Sequence, residues 1–145
     1  MPLPIRPLNP TTDLPTIATL FTQLGYPLTP TQLHQRLPTL DPTKNETLVA
    51  VNNSDLPLGF LHLRINDSLL VEPRLEVVAL IVDESARSQG IGKLLMQHAE
   101  SIARSKGLAD IIVWSNITRT DAHRFYQSLG YHHKKTNHLF TKRLD

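Results

Sequence analysis

Apolar residues recur along the chain with two different periods, and the changes of period divide it into elements. Leu14, Ile17, Phe21 and Leu24 fall on one helical face, with Thr12 or Asp13 available as cap and Gly25 as the stop. Thr29-Pro30-Thr31-Gln32 reads as a capping box with proline at the first helical position, ahead of Leu33 and Leu37, and Pro38 ends this short second helix. Thr47 to Val51 and Leu58 to Ile65 are rich in apolar and β-branched residues. Between them lies Asn52-Asn53-Ser54-Asp55, which has the composition of a tight turn, so the two runs predict an antiparallel hairpin. A third strand is predicted from about Arg74 to Val82, ending where Asp83-Glu84-Ser85 brings in polar turn formers.

The period then changes. From Gly90 onward Ile91, Leu94, Leu95, His98, Ala99, Ile102 and Ala103 repeat at helical spacing until Gly107, a left-handed cap in expectation. Asp110 to Trp114 is a short, nearly all-apolar strand with Trp114 expected in the core, so Arg74 to Trp114 forms a strand, glycine turn, helix, strand unit with parallel strands. Ala122, Phe125, Tyr126 and Leu129 mark a short helix closed by Gly130. Tyr131 to Lys135 and Leu139 to Arg143 predict terminal strands. Neither an internal repeat nor a low-complexity tract interrupts this order.

Composition narrows the classes. At 145 residues and 40% hydrophobic content the chain fits one domain, residues 1–145. The net charge of +2 comes from scattered basic residues, which argues against nucleic acid as a partner. With no cysteine, disulfides, thiolate nucleophiles and cysteine-held metals are excluded. The proline-broken N-terminus and the lack of a long apolar run make a soluble, cytoplasmic protein without a membrane partner the expectation.

Candidate chemistry centres on Val82 to Lys93, where a glycine-bearing turn joins a strand to a helix. Free backbone N–H groups converge there on the positive end of a helix dipole, which suits a pyrophosphate. Gly90 and Gly92 would let the backbone approach phosphates, and Arg87 or Lys93 could add a charged contact. Leu94 stands where a Walker A loop needs serine or threonine, and Leu95 where a Rossmann fingerprint needs its third glycine. Alternation along the third strand puts Glu76 on the face of Val78, Leu80 and Val82, as a general base or as an ion-paired strand-end carboxylate. Asn116 reads either as a cofactor contact or as a turn former. His62 and His123 are substrate-pocket or cofactor-edge candidates, whereas His132, His133 and His138 lack metal-ligand spacing, so no metal is expected.

The chain resembles the GNAT acetyltransferase superfamily. Arg87, Gly90 and Gly92 match its motif of Gln or Arg, two residues, Gly, one residue, then Gly or Ala. Ala122-His123-Arg124-Phe125-Tyr126-Gln127-Ser128-Leu129-Gly130-Tyr131 matches its second signature, so that residues 74 to 131 carry the resemblance. The stretch Arg119 to Tyr126 with the His138 to Lys142 tail is similar to aminoalkylphosphonate and other small-amine acetyltransferases. The resemblance implies a mixed, mostly antiparallel α/β sheet with a parallel central strand pair, flanked by about four helices. It implies acetyl-CoA as cosubstrate, with direct attack by a primary amine of a small molecule or protein in a ternary complex. By the same resemblance Arg87, Ser88, Gln89, Gly90, Ile91, Gly92 and Lys93 hold the cofactor with Asn116. The main chains of Leu80, Ile81 and Val82 then receive its pantetheine arm, Glu76 is the base and Tyr126 the acid. Arg119 departs from the pattern, since many members carry asparagine there. Expected partners are acetyl-CoA and an amine acceptor, and a homodimer is compatible with the chain; the rival reading is a catalytically idle CoA-binding module.

Overall fold

The computed structural model describes residues 2–145, which form two compact units divided between Val113 and Trp114. The first unit holds a five-stranded sheet in the order β1 (Ile5–Pro7), β2 (Asn45–Val51), β3 (Pro57–Asn66), β4 (Arg74–Val82) and β5 (Ile111–Val113). The first four strands pair antiparallel and β4 pairs with β5 in parallel, as a strand, helix, strand connection requires. Around them run α1 (Leu14–Leu24), α2 (Pro30–Arg36) and α3 (Ile91–Ser105), while α4 (Thr120–Ser128) belongs to the second unit. The mixed α/β sheet with four helices is the fold expected from the chain.

The helix boundaries follow local chemistry. Thr29 accepts from the Gln32 backbone N–H at 3.1 Å and Gln32 Oε1 accepts from the Thr29 N–H at 2.9 Å, so the capping box is complete. Asp13 is the cap of α1 without a side-chain cap bond, because its carboxylate is used elsewhere. Gly25 closes α1 in the left-handed region at φ 97°.

Cross-strand register assigns the two faces of the sheet. Val49, Phe60 and Ile81 lie side by side across β2, β3 and β4 and pack with Ile17, Leu20 and Leu33 of α1 and α2. On the opposite face α3 comes so close to β3 that a Cβ on Gly59 would sit 2.9 Å from Ile91 Cγ2 and Leu95 Cδ1. That contact anchors the start of α3 against the sheet.

Three features differ from the sequence pattern. A short edge strand, β1, pairs Ile5, Arg6 and Pro7 with β2, although a three-residue run between prolines shows no alternation. No strands form at 131–135 and 139–143 among the described residues, so the parallel β4–β5 pair stands at the edge of the sheet instead of its centre. Trp114 is 53% exposed and not a core residue, because β5 stops at Val113 and no further strand covers it.

Candidate active site

The strand that leads into the glycine turn is irregular at two places. Register with β3 slips between His62 and Leu63, leaving Val78 as an extra residue on β4, 39% exposed. Pairing with β5 stops at Val77↔Val113, so from Val78 to Val82 the outer side of β4 has no strand partner among the described residues. The main-chain edge at Leu80, Ile81 and Val82 is therefore open on that side. The Ile81 side chain is buried in the core, and the Val82 carbonyl accepts from Arg87 Nε at 3.4 Å.

After Val82 the chain turns tightly. Asp83 caps the turn, its Oδ1 accepting from Ser85 N–H at 2.8 Å and Ser85 Oγ at 2.6 Å, and these bonds hold its carboxyl below the usual range. Glu84 N–H donates to Gln23 Oε1 of α1 at 3.0 Å. Ser88 and Gly90 both take left-handed backbone, at φ 65° and 80°, and Gly90 serves as the N-cap of α3 without any side-chain cap bond. Turns that carry left-handed residues can gather successive N–H groups on one side, as in an anion-binding nest. Open space surrounds Gly90 where a Cβ would lie. Arg87 and Lys93 are exposed on either side. The residues from Arg87 to Lys93 thus fit a pyrophosphate: a 15-residue helix start with uncapped N–H groups, two nearby cations and no carboxylate between them.

The slip at Val78 overturns one reading of the sequence. Glu76 pairs with Arg64, while Ala79 and Ile81 pair with His62 and Phe60, so Glu76 shares the face of Ala79 and Ile81 and not that of Val78, Leu80 and Val82. Simple alternation fails because the bulge inserts one residue. Glu76 is 5% exposed and both its oxygens are engaged: Arg64 Nη2 donates at 2.7 Å and Asn66 Nδ2 at 3.0 Å. Arg74, the partner that proximity along the strand suggests, donates instead to Asn66 Oδ1 at 3.3 Å. Arg64 and Asn66 were invisible as partners until the β3–β4 register was known.

On the same face α1, α2, β2 and β3 enclose a cavity of about 180 Å³. Its wall is apolar, from residues such as Leu14, Ile17, Phe21, Leu33 and Phe60, with Arg36, Thr47 and His62 as polar exceptions. Burial lowers the His62 pKa, Arg64 acts in the same direction and Glu76 opposes, so the ring is neutral near neutral pH. Glu76 does not line this cavity.

Within the second unit, Asn116 is a turn former. Its Oδ1 accepts from Thr118 N–H at 2.9 Å and Thr118 Oγ1 at 2.8 Å, and its carbonyl accepts from Arg119 N–H at 3.0 Å and bonds His123 Nε2 at 2.9 Å. Tyr126 on α4 sits edge-on to Phe125 and Tyr131, with ring centroids 5.2 and 6.1 Å away. Burial raises its phenol pKa against the opposing charge of Arg119, so the hydroxyl keeps its proton at neutral pH.

Residues 14–131 match the family described as the Acetyltransferase (GNAT) family. The chain belongs to the GNAT family. Among curated relatives, human N-acetyltransferase 8 is 36% identical over 78 residues, 54% of this chain and 34% of that protein. Aminoalkylphosphonate N-acetyltransferase of Salmonella typhimurium is 42% identical over 69 residues, 48% of this chain and 44% of its own length. The chain thus spans less than half the length of these curated relatives. A crystal structure of a transcriptional regulator from Bacillus halodurans C-125 superposes with a TM-score of 0.80 at 26% identity, over 95% of this chain and 99% of that one. The GNAT family and fold inferred from the two signatures are therefore shown. No helix among the described residues is long and apolar enough to cross a membrane.

Proposed function

We propose that residues 1–145 act as one N-acetyltransferase domain, moving the acetyl group of acetyl-CoA to a primary amine by direct attack in a ternary complex. The observation that carries this reading is the uncapped, left-handed turn at the start of α3, set at the end of a strand whose outer edge is unpaired. Bound acetyl-CoA supplies an activated acyl carbonyl and a thiolate leaving group. Arg87, Ser88, Gln89, Gly90, Ile91, Gly92 and Lys93 hold its pyrophosphate through main-chain N–H groups and flanking charge. Leu80, Ile81 and Val82 offer main-chain groups to the pantetheine arm along the open edge, with the Val82 carbonyl shared with Arg87.

Glu76 serves as the terminal base, receiving the amine's proton through water. A carboxylate has about four lone-pair sites, and Arg64 and Asn66 take two, leaving each oxygen one further site with which to accept a hydrogen bond. Tyr126, protonated and half-buried, supplies a proton to the departing thiolate. Asn116 has an amide nitrogen left over after its Oδ1 closes the turn, which suits at most a hydrogen bond to the cofactor.

The test is thiol release from acetyl-CoA over a panel of 2-aminoethylphosphonate, 2-phenylethylamine, spermidine, an aminoglycoside, amino acids and a peptide with a free N-terminus. Amine-dependent release with at least one acceptor is the expected result. Acetyl-CoA binding without release for any amine would instead identify an idle CoA-binding module.

A further inference from the structure

A chain of hydrogen bonds fixes the state of one ring on the wall of the cavity between α1, α2 and the sheet. Asn45 Nδ2 donates to the Asp41 carbonyl at 3.1 Å, which sets which way the amide of Asn45 points. Its Oδ1 then faces His62 Nε2 at 2.9 Å. A carbonyl oxygen can only accept, so Nε2 must carry the hydrogen of the neutral imidazole, and Nδ1 carries the lone pair. Nδ1 has no protein hydrogen-bond donor among the described residues. Of the residues lining the cavity, His62 is the one base.

We propose that this cavity is the acceptor site, that it takes a primary amine with an apolar body, and that His62 Nδ1 removes the proton of the incoming ammonium. This deepens the acetyltransferase reading and rests on it. The lone pair of Nδ1 takes one proton; the amine nitrogen keeps the N–H bonding pair and becomes the neutral nucleophile, and the ring becomes an imidazolium. Nine of the twelve lining residues are leucine, isoleucine or phenylalanine, which sets the body of the acceptor. The volume of about 180 Å³ matches a single small ring or short alkyl chain.

The charges around His62 are suited to this. Asn45 and Thr47 of β2 are uncharged, and α1 contains no charged residue at all. Of the charged and titratable residues of α2, only the exposed Arg36 lines the cavity. Arg64 of β3 disfavours the imidazolium and Glu76 of β4 favours it. Burial and Arg64 keep the ring unprotonated and ready to accept, and Glu76, on the same face, steadies the charge once the proton arrives. Glu76 and a water then pass the proton outward.

Two measurements on the full chain test this. In the first, 2-phenylethylamine is titrated into the protein while the imidazole ¹⁵N resonances are followed. The expected result is a selective shift of the His62 Nδ1 signal, and an unmoved His62 overturns the proposal whether or not acetyl transfer occurs. In the second, kcat/KM is measured against pH for 2-phenylethylamine and for 2-aminoethylphosphonate. Wild type should prefer 2-phenylethylamine and lose activity only below the ordinary histidine pKa of about 6.5. His62→Gln should lower kcat/KM by roughly 10²-fold or more and abolish that acidic limb. A variant that keeps both the rate and the limb, or a wild type that prefers 2-aminoethylphosphonate, overturns it. A wild type that binds acetyl-CoA but acetylates no amine refutes the acetyltransferase reading instead, leaving the resonance titration to decide the cavity.

Discussion

At the scale of single residues, the densest polar network belongs to the fold and not to the chemistry. Asp13 is 2% exposed; its carboxylate accepts from Arg6 Nη1 at 2.7 Å, Arg6 Nη2 at 3.0 Å and Asn9 N–H at 2.7 Å. Burial alone would raise its pKa, but the bonds from Arg6 and Asn9 outweigh that and the net shift is downward. The sign of the linkage follows. In the window from the unfolded aspartate value near 4 down to the depressed folded value, the unfolded chain binds the proton first. Stability from this group is therefore complete above that window and is lost as the pH falls through the folded value. Asp13→Asn should cost about 2 kcal/mol at pH 7, because it removes the buried carboxylate that both Arg6 Nη atoms bond and leaves Arg6 only its ion pair with the exposed Asp55 at 2.8 Å. Thermal melts should show the gap between wild type and variant closing below pH 4, and a constant gap across that range would assign the loss to packing. Such a pair was not readable in advance: Arg6 and Asp13 meet only once β1 has joined the sheet edge.

Among the elements, those set by short-range chemistry were legible and those set by register were not. The α2 cap depends on residues three positions apart, and the turn after β2 on Asn52 Oδ1 reaching the N–H groups of Ser54 and Leu56, so both were written in local sequence. The start of α3 at Gly90 was legible for the same reason. By contrast β1 exists only through its partner, and the face of Glu76 depends on a bulge that no residue type at Val78 announces. The tautomer of His62 likewise depends on Asp41 and Asn45, twenty-one and seventeen positions away. The terminal strands expected after Gly130 had the right composition, but β propensity alone does not form a strand without a paired neighbour. One element contact is sharp enough to test. Gly59→Ala puts a methyl 2.9 Å from Ile91 Cγ2 and Leu95 Cδ1, which are themselves buried. The substitution should lower stability by about 1–3 kcal/mol through overpacking. Urea unfolding should show a lower midpoint at unchanged slope; an unmoved midpoint would mean that α3 yields freely to the intrusion.

For the molecule as a whole, the two units carry different halves of the two-signature pattern: the glycine turn lies in the first and Tyr126 with the second signature lies in the second. The family match runs across both, from residue 14 to residue 131. The central claim is that the turn from Arg87 to Lys93 is a pyrophosphate site, and calorimetry with acetyl-CoA tests it most directly. Gly90→Ala should lose affinity modestly, since any side chain at φ 80° is strained by about 1–2 kcal/mol. Gly90→Glu adds a carboxylate where the phosphates must sit, and it should bind at least tenfold more weakly than Gly90→Ala while remaining folded by circular dichroism. Equal acetyl-CoA affinity in wild type, Gly90→Ala and Gly90→Glu would contradict the assignment of this turn.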